Sequence, residues 1–377
     1  MRKLLFFLLL LWLIIAFAVP VFAQEPAPDR VVFWSRLGMY TINDDGSDMT
    51  LFEFDPAKID RLVDAVWSPD GSRLLMLLVH YDDGQTYLYQ ADSDGGNMRL
   101  LLDDPLPSNA SPRWSPDGSR IIFRDSRGNE YPVYMMNADG GDVQLIIDSA
   151  DTSEMPKWSP DGTRLTYIAR FGISPGVVMR DLETGTSPRL IPDIRDGFYE
   201  WSPAGDYLAY RQWNGSEDIF TVNTQTGQIV RLLQEDDGPL TEEYGFDWSP
   251  DGSRIALYTT ADGIYRIYAM NPDGSNVQQL TDGPQDASLL GYSPDGEWIA
   301  YHMEQNIWLM RPDGGDARQL TFFDEGHAFI DWSPNGDEIM LLYFGDAHRI
   351  RIIDIQTGDF RDLPAPPGDV RSPRWIP

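Results

Sequence analysis

The chain has 377 residues, 42% of them hydrophobic and 12% aromatic, with 33 glycines, 28 prolines and no cysteine. This is the composition of a folded protein whose core must hold it without disulfides. A formal net charge of −30 repels nucleic acid and anionic membrane surfaces, which excludes both as partners of the folded part.

Arg2 and Lys3 precede an apolar run, which leads into Pro20 and then Val21-Phe22-Ala23. A basic start, an apolar middle and small residues before the break predict a secretory signal over 1–23, cleaved after Ala23. Such a protein is exported, to the periplasm or the exterior; if the segment stays uncleaved, it tethers the chain to the membrane. Without cysteine a lipoprotein anchor is ruled out. Residues 24–29 read as a linker and 30–377 as one domain.

From there the sequence repeats. WSPDG stands at 67–71, 114–118, 158–162 and 248–252, with variants WSPAG at 201–205, YSPDG at 292–296 and WSPNG at 332–336. The leading aromatics, Trp67, Trp114, Trp158, Trp201, Trp248, Tyr292 and Trp332, are spaced by 40 to 47 residues. That period fits a four-stranded propeller blade. The unit at 114 shows the plan: RIIFR (120–124), VYMMN (133–137) and VQLII (143–147) read as strands separated by turn residues. Residues 31–53 match the last three strands of a unit, and SPRWIP at 372–377 echoes SPRWSP at 111–116. Trp375 is therefore an eighth anchor. The expected fold is all-β: a single eight-bladed β-propeller, monomeric, closed when the C-terminal strand joins the N-terminal three.

In the pentapeptide, Pro presets φ, Asp bonds to its own backbone ahead, and Gly takes a positive φ. Each anchor is expected to pack between neighbouring blades with its N–H on a backbone acceptor. Ala204 and Asn335 replace Asp in two copies, so the motif reads as a fastener and not as chemistry. A second turn recurs as DDGSD (44–48), DSDGGN (92–97), NADGGD (137–142), NPDGSN (271–276) and RPDGGD (311–316). Leu101 stands where a calcium loop beginning at Gln90 would need its bidentate acid, so these are hairpin turns.

An SPDG turn after an anchoring aromatic, with a DG turn downstream, resembles the TolB-type (WD-40-like) propeller repeat across about residues 30–377. The resemblance implies the fold and says little of activity. Related blades occur in periplasmic TolB, in the propellers of prolyl-oligopeptidase-type peptidases and in oligogalacturonate lyases. TolB itself carries an α/β domain before six blades, and this sequence departs from it on both counts.

No catalytic residue is expected. Gly172-Ile-Ser174-Pro-Gly176 spells a nucleophile-elbow pattern, but Pro175 follows the serine and the stretch lies between two strands, with no helix after it. The histidines, His80, His302, His327 and His348, lack metal-ligand spacing, so no metal and no other cofactor is expected. His302 and His327 share a neighbourhood if blades six and seven abut. Because SPDG and DG turns occupy one face, specificity is expected in the loops of the other, including 58–65, 192–200, 235–247 and 321–331. Arg124, Arg211 and His302 each follow their anchor by ten residues, and Arg170 by twelve. This register places them on one rim, either to recognise a carboxylate or anionic glycan or to pair with Asp125, Glu200 and Glu217. Tyr199, Trp213, Tyr244, Phe322 and Phe323 are expected as exposed aromatics forming a platform there. The expected function is a non-catalytic scaffold, not an enzyme, for a protein, peptide or glycan; the alternative is a polysaccharide lyase or hydrolase-like enzyme at the channel mouth.

Overall fold

A computed structural model describes residues 29–35, 38–52, 54, 58–125, 132–148, 155–171, 174–194, 198–213, 217–232, 245–260, 263–322, 327–344, 348–364 and 370–377. The expected signal (1–23), most of the linker, Tyr244 and Phe323 lie outside these residues. Every element is a strand; no helix among the described residues is long and apolar enough to cross a membrane.

Eight antiparallel sheets of four strands form the ring of a β-propeller. Blades 1 to 7 each use four consecutive strands, beginning with the anchors Trp67 to Trp332 on the innermost strand. Blade 8 is composite: Arg371–Trp375 forms its innermost strand beside Arg30–Ser35, Gly38–Asn43 and Thr50–Leu51. Val31 pairs with Trp375, and the Ile376 N–H donates to the Arg30 carbonyl at 2.7 Å. The ends thus close the ring and hide two sheet edges.

Second strands such as RLLMLLVH (Arg73–His80) are apolar on both faces because each blade is covered on both sides. Leu74, Met76 and Leu78 pack with Met39 and Phe52 of blade 8, while Leu75 and Leu77 pack with Trp114 and Ile121 of blade 2. Burial of alternate side chains against two neighbours is the main apolar stabilisation of the ring.

Hydrogen bonds explain the recurring turn. Ser115 Oγ donates to Asp117 Oδ1 at 2.5 Å and accepts the Arg120 N–H at 2.9 Å. Asp117 also accepts the Ser119 N–H at 3.0 Å, and Gly118 adopts φ +66°, where a side chain would be strained. The Ser115 and Ser119 hydroxyls hold the Asp117 carboxyl at about 2, below the usual carboxylate range.

Two residues beyond the pentapeptide lies a link between blades. The Arg73 guanidinium lies 4.6 Å above the Trp114 ring of the next blade and donates to the Gly118 carbonyl at 2.8 Å. Arg120 does the same at Trp158 (5.2 Å) and Gly162 (2.6 Å), and Arg164 at Trp201 (5.1 Å) and Gly205 (3.4 Å). Each arginine couples a cation–π contact to a charge-assisted hydrogen bond across a seam.

Two expectations are corrected. Among the described residues only the Trp114 indole of these anchors donates to a backbone acceptor, the Val66 carbonyl at 3.1 Å; Trp201 donates to Thr166 Oγ1 at 3.0 Å. The buried indole N–H groups of Trp158, Trp248, Trp332 and Trp375 have no acceptor among the described residues. Apolar packing holds these four rings, with guanidinium stacking added at Trp158. Secondly, segments read as connecting loops are partly strand: the innermost strand Ile59–Trp67 takes in nearly all of 58–65, and the innermost strands Tyr199–Trp201 and His327–Trp332 take in the ends of 192–200 and 321–331.

Candidate ligand site on the inner wall

The innermost strands surround the axis, and alternation along them sets what the wall presents. Each anchor packs back toward the preceding blade, as Trp114 does against Leu75 and Leu77. The residue immediately before it faces the other way. Around the ring those residues are Val66, Arg113, Lys157, Glu200, Asp247, Gly291, Asp331 and Arg374. Their registers are equivalent: Arg113 pairs with Ile122, Lys157 with Thr166, Glu200 with Ala209, and Arg374 with Val32.

Charge is segregated on this circle. Arg374, Arg113 and Lys157 occupy blades 8, 2 and 3, with Val66 of blade 1 between the arginines. Glu200, Asp247 and Asp331 occupy blades 4, 5 and 7. On the acidic side, burial pushes the Asp247 carboxyl up to about 6, against the Tyr292 and Trp248 N–H groups that donate to it at 2.7 and 2.9 Å. Burial also raises Glu200, partly offset by the Lys157 charge, and raises Asp331, partly offset by Arg374. Gly291 leaves room for Asp247: a Cβ there would lie 2.9 Å from its Oδ2.

On the basic side, Lys157 donates to the Tyr199 carbonyl at 2.5 Å, and its ammonium lies 4.8 Å from the Tyr199 ring centre. Arg113 is exposed and meets Asp64 at 3.4 Å, a weak surface pair. Arg374 is exposed, and its side chain has no hydrogen bond or ion pair among the described residues. Two cavities open here and share Arg113. One, of about 540 Å³, lies between blades 8 and 1 and includes Val63, Asp64, Trp67 and Arg374. The other, of about 430 Å³, lies between blades 2 and 3 and includes Arg124, Met155, Lys157 and Trp158. The arc can therefore receive an anion from an open channel while its cations are held by the strand framework.

The residues expected to form a rim fare differently. Arg124 is 5% exposed and lines the second cavity beside Arg113 and Lys157. Arg211, on blade 4, lies 5.2 Å above the Phe198 ring. His302, on blade 6, lines a separate cavity of about 500 Å³ with Tyr258, Tyr265 and Asp286. Equal register thus places Arg124, Arg211 and His302 on alternate blades, 2, 4 and 6, and does not gather them. Arg170 pairs with Pro175 at the end of a blade 3 hairpin, which also contains Ser174. His327 begins the innermost strand of blade 7, opposite Tyr343. Trp213 ends the second strand of blade 4. Tyr199 is a correction: it is 1% exposed and its hydroxyl donates to the Thr166 carbonyl at 3.0 Å, so it is core and not platform. Phe322 is 75% exposed, as expected.

The charged residue before six of the eight anchors escaped the motif reading, although RW, KW, EW and DW are visible in the sequence. The arginine of WSPDG-x-Arg was equally visible at Arg73, Arg120, Arg164 and Arg254.

The TolB beta propeller domain family matches residues 61–243 and 200–377. The uncharacterized peptidase YuxL of Bacillus subtilis is 31% identical over 129 residues, 32% of this chain and 19% of that protein. The chain spans 40% and 19% of the length of two curated relatives it matches. Among solved structures, dipeptidyl peptidase 4 of Porphyromonas gingivalis aligns with a TM-score of 0.64 at 12% identity, covering 87% of this chain and 56% of that one. An oligogalacturonate lyase in complex with manganese aligns with a TM-score of 0.50 at 13% identity, covering 90% and 98%. At such identities the structural likeness concerns the fold alone. The expectation that the chain is not an enzyme is therefore corrected: proteins named as a peptidase and as a lyase align with this fold, so the propeller does not argue against catalysis.

Proposed function

The chain belongs to the TolB β-propeller domain family, and from that premise we propose that its ring recognises an anionic ligand, a carboxylate-bearing peptide or glycan, at the basic arc of the inner wall. The observation that carries this reading is the placement of Arg374, Arg113 and Lys157 at equivalent positions on blades 8, 2 and 3. In a chain of net charge −30, cations collected on one side of the axis create a local attractive field within a repulsive surround. Arginine suits a carboxylate because its planar fork donates two parallel hydrogen bonds. The acidic arc opposite disfavours a second anion there and so orients a ligand across the channel. The basic start and apolar run at the N-terminus support export, where such peptides and glycans are met; the net charge argues against nucleic acid as a partner.

Calorimetric titration of the full chain with trigalacturonate and with a short free-carboxylate peptide tests this reading. Binding of at least one, and its loss on methyl esterification, is expected. Equal affinity for acid and ester, or no binding of either acid, would contradict it. Following the same mixtures for new peptide or sugar ends reads out catalysis at the arc directly.

A further inference from the structure

We infer that the cavity between blades 8 and 1 holds the C-terminal residue of a peptide, its apolar side chain in the slot and its free carboxylate on Arg374 and Arg113. This inference rests on the basic-arc reading and narrows it to one ligand class.

One wall of the cavity belongs to blade 1. Its innermost strand, Ile59–Trp67, has nine residues, and its pairing with the second strand shifts register between Ile59 and Arg61 and again between Leu62 and Asp64. Bulges insert unpaired residues and re-aim side chains. Here Val63 is left 38% exposed, and both it and Asp64 line the cavity of about 540 Å³. The opposite wall comes from blade 8, from Val32, Met39 and Trp375. The volume lies within the range of small-ligand pockets, roughly 300–1,000 Å³.

This seam also differs in its packing. At Trp114, Trp158 and Trp201 an arginine from the preceding blade covers the indole. Among the described residues no cation lies over Trp67, which is only half-buried and meets Phe52 edge-on at 6.3 Å. The indole face therefore remains for an incoming group.

Chemistry narrows that group. Asp64, Arg113 and Arg374 give the cavity a polar side, but Val32, Met39 and Val63 give the rest of it no hydrogen-bonding side chain, and sugar hydroxyls buried there without partners are costly. A cationic side chain would meet Arg113 and Arg374, of which only Arg113 has an acidic neighbour in the cavity, Asp64. An internal peptide segment carries no charge to satisfy Arg374. An apolar residue ending in a carboxylate satisfies both the wall and the two guanidinium groups.

The test is calorimetry on the full chain with acetyl-Ala-Ala-Leu as free acid, the same peptide as C-terminal amide, and trigalacturonate. The free acid is expected to bind and the amide to bind about tenfold or more weakly, the worth of a charge-assisted hydrogen bond. Arg374→Gln should weaken the free acid similarly. Val63→Trp, which fills the slot from an exposed position, should weaken the free acid about tenfold or more. Equal binding of acid and amide, or no effect of Val63→Trp, would overturn the inference. Trigalacturonate binding without peptide binding would overturn it while leaving the basic arc standing; failure of both would overturn both.

Discussion

Restoring the missing carboxylate in blade 4 should stabilise the ring, and the gain should vanish in acid. Ser202 there accepts the Tyr207 N–H at 3.0 Å, as its counterparts do, but Ala204 supplies no carboxylate for the serine hydroxyl. In blade 2 the equivalent Asp117 takes Ser115 Oγ at 2.5 Å and the Ser119 N–H at 3.0 Å, and its carboxyl falls from 3.8 to about 2. A drop of that size corresponds to about 2.4 kcal/mol between protonation states as an upper limit. Asp117 is exposed, and blade 4 carries Asp206 where blade 2 has Ser119, so solvent screening, the missing hydroxyl and the neighbouring like charge leave only about 0.5 kcal/mol. Ala204→Asp is therefore predicted to raise stability at pH 7 by about 0.5 kcal/mol. The sign follows from linkage: a depressed carboxyl stabilises fully above its unfolded value near 4, and the gain is lost as pH falls through about 2. Urea denaturation of both proteins at pH 7 and near pH 2 measures it. No gain at pH 7, or a gain unchanged in acid, would refute the fastener mechanism.

Two further outcomes are expected. In a double-mutant cycle of Arg120→Ala and Trp158→Phe, urea denaturation should give a coupling of about 1 kcal/mol, because the guanidinium and ring act together across the seam; additive effects would remove the interlock. Tyr199→Phe deletes the donor to the buried Thr166 carbonyl and should cost about 1–2 kcal/mol in the same assay. It should leave carboxylate affinity unchanged, whereas a loss of affinity with stability intact would restore Tyr199 to the ligand surface.

The ring was legible because its determinants are local and repeated. A turn that needs Ser, Asp and Gly at fixed offsets writes itself into every blade, and the SPRWIP echo exposes the closing strand. The site was less legible because it depends on how blades sit against one another. Register along one strand correctly aligned Arg124, Arg211 and His302, but residues equivalent in register lie on different blades and so are spread around the axis. Tyr199 read as a surface aromatic because its neighbours were taken for loop; strand pairing with Tyr210 makes it core. The basic arc needed one more inference, that alternation turns the residue before each anchor away from the seam its anchor fills. Val63 required the bulges of one strand, which sequence periodicity does not mark.

The most direct test of the basic arc compares two charge reversals of equal size in different places. Arg113→Glu with Arg374→Glu changes the inner wall, and Arg99→Glu with Arg349→Glu changes exposed positions on the fourth strand of blade 1 and the third strand of blade 7. Calorimetry with the anionic probe bound by the unmodified protein should show binding abolished by the first pair and altered by no more than about twofold by the second. Equal losses from both pairs would mean that net charge governs the affinity, and would contradict a localised site on the inner wall.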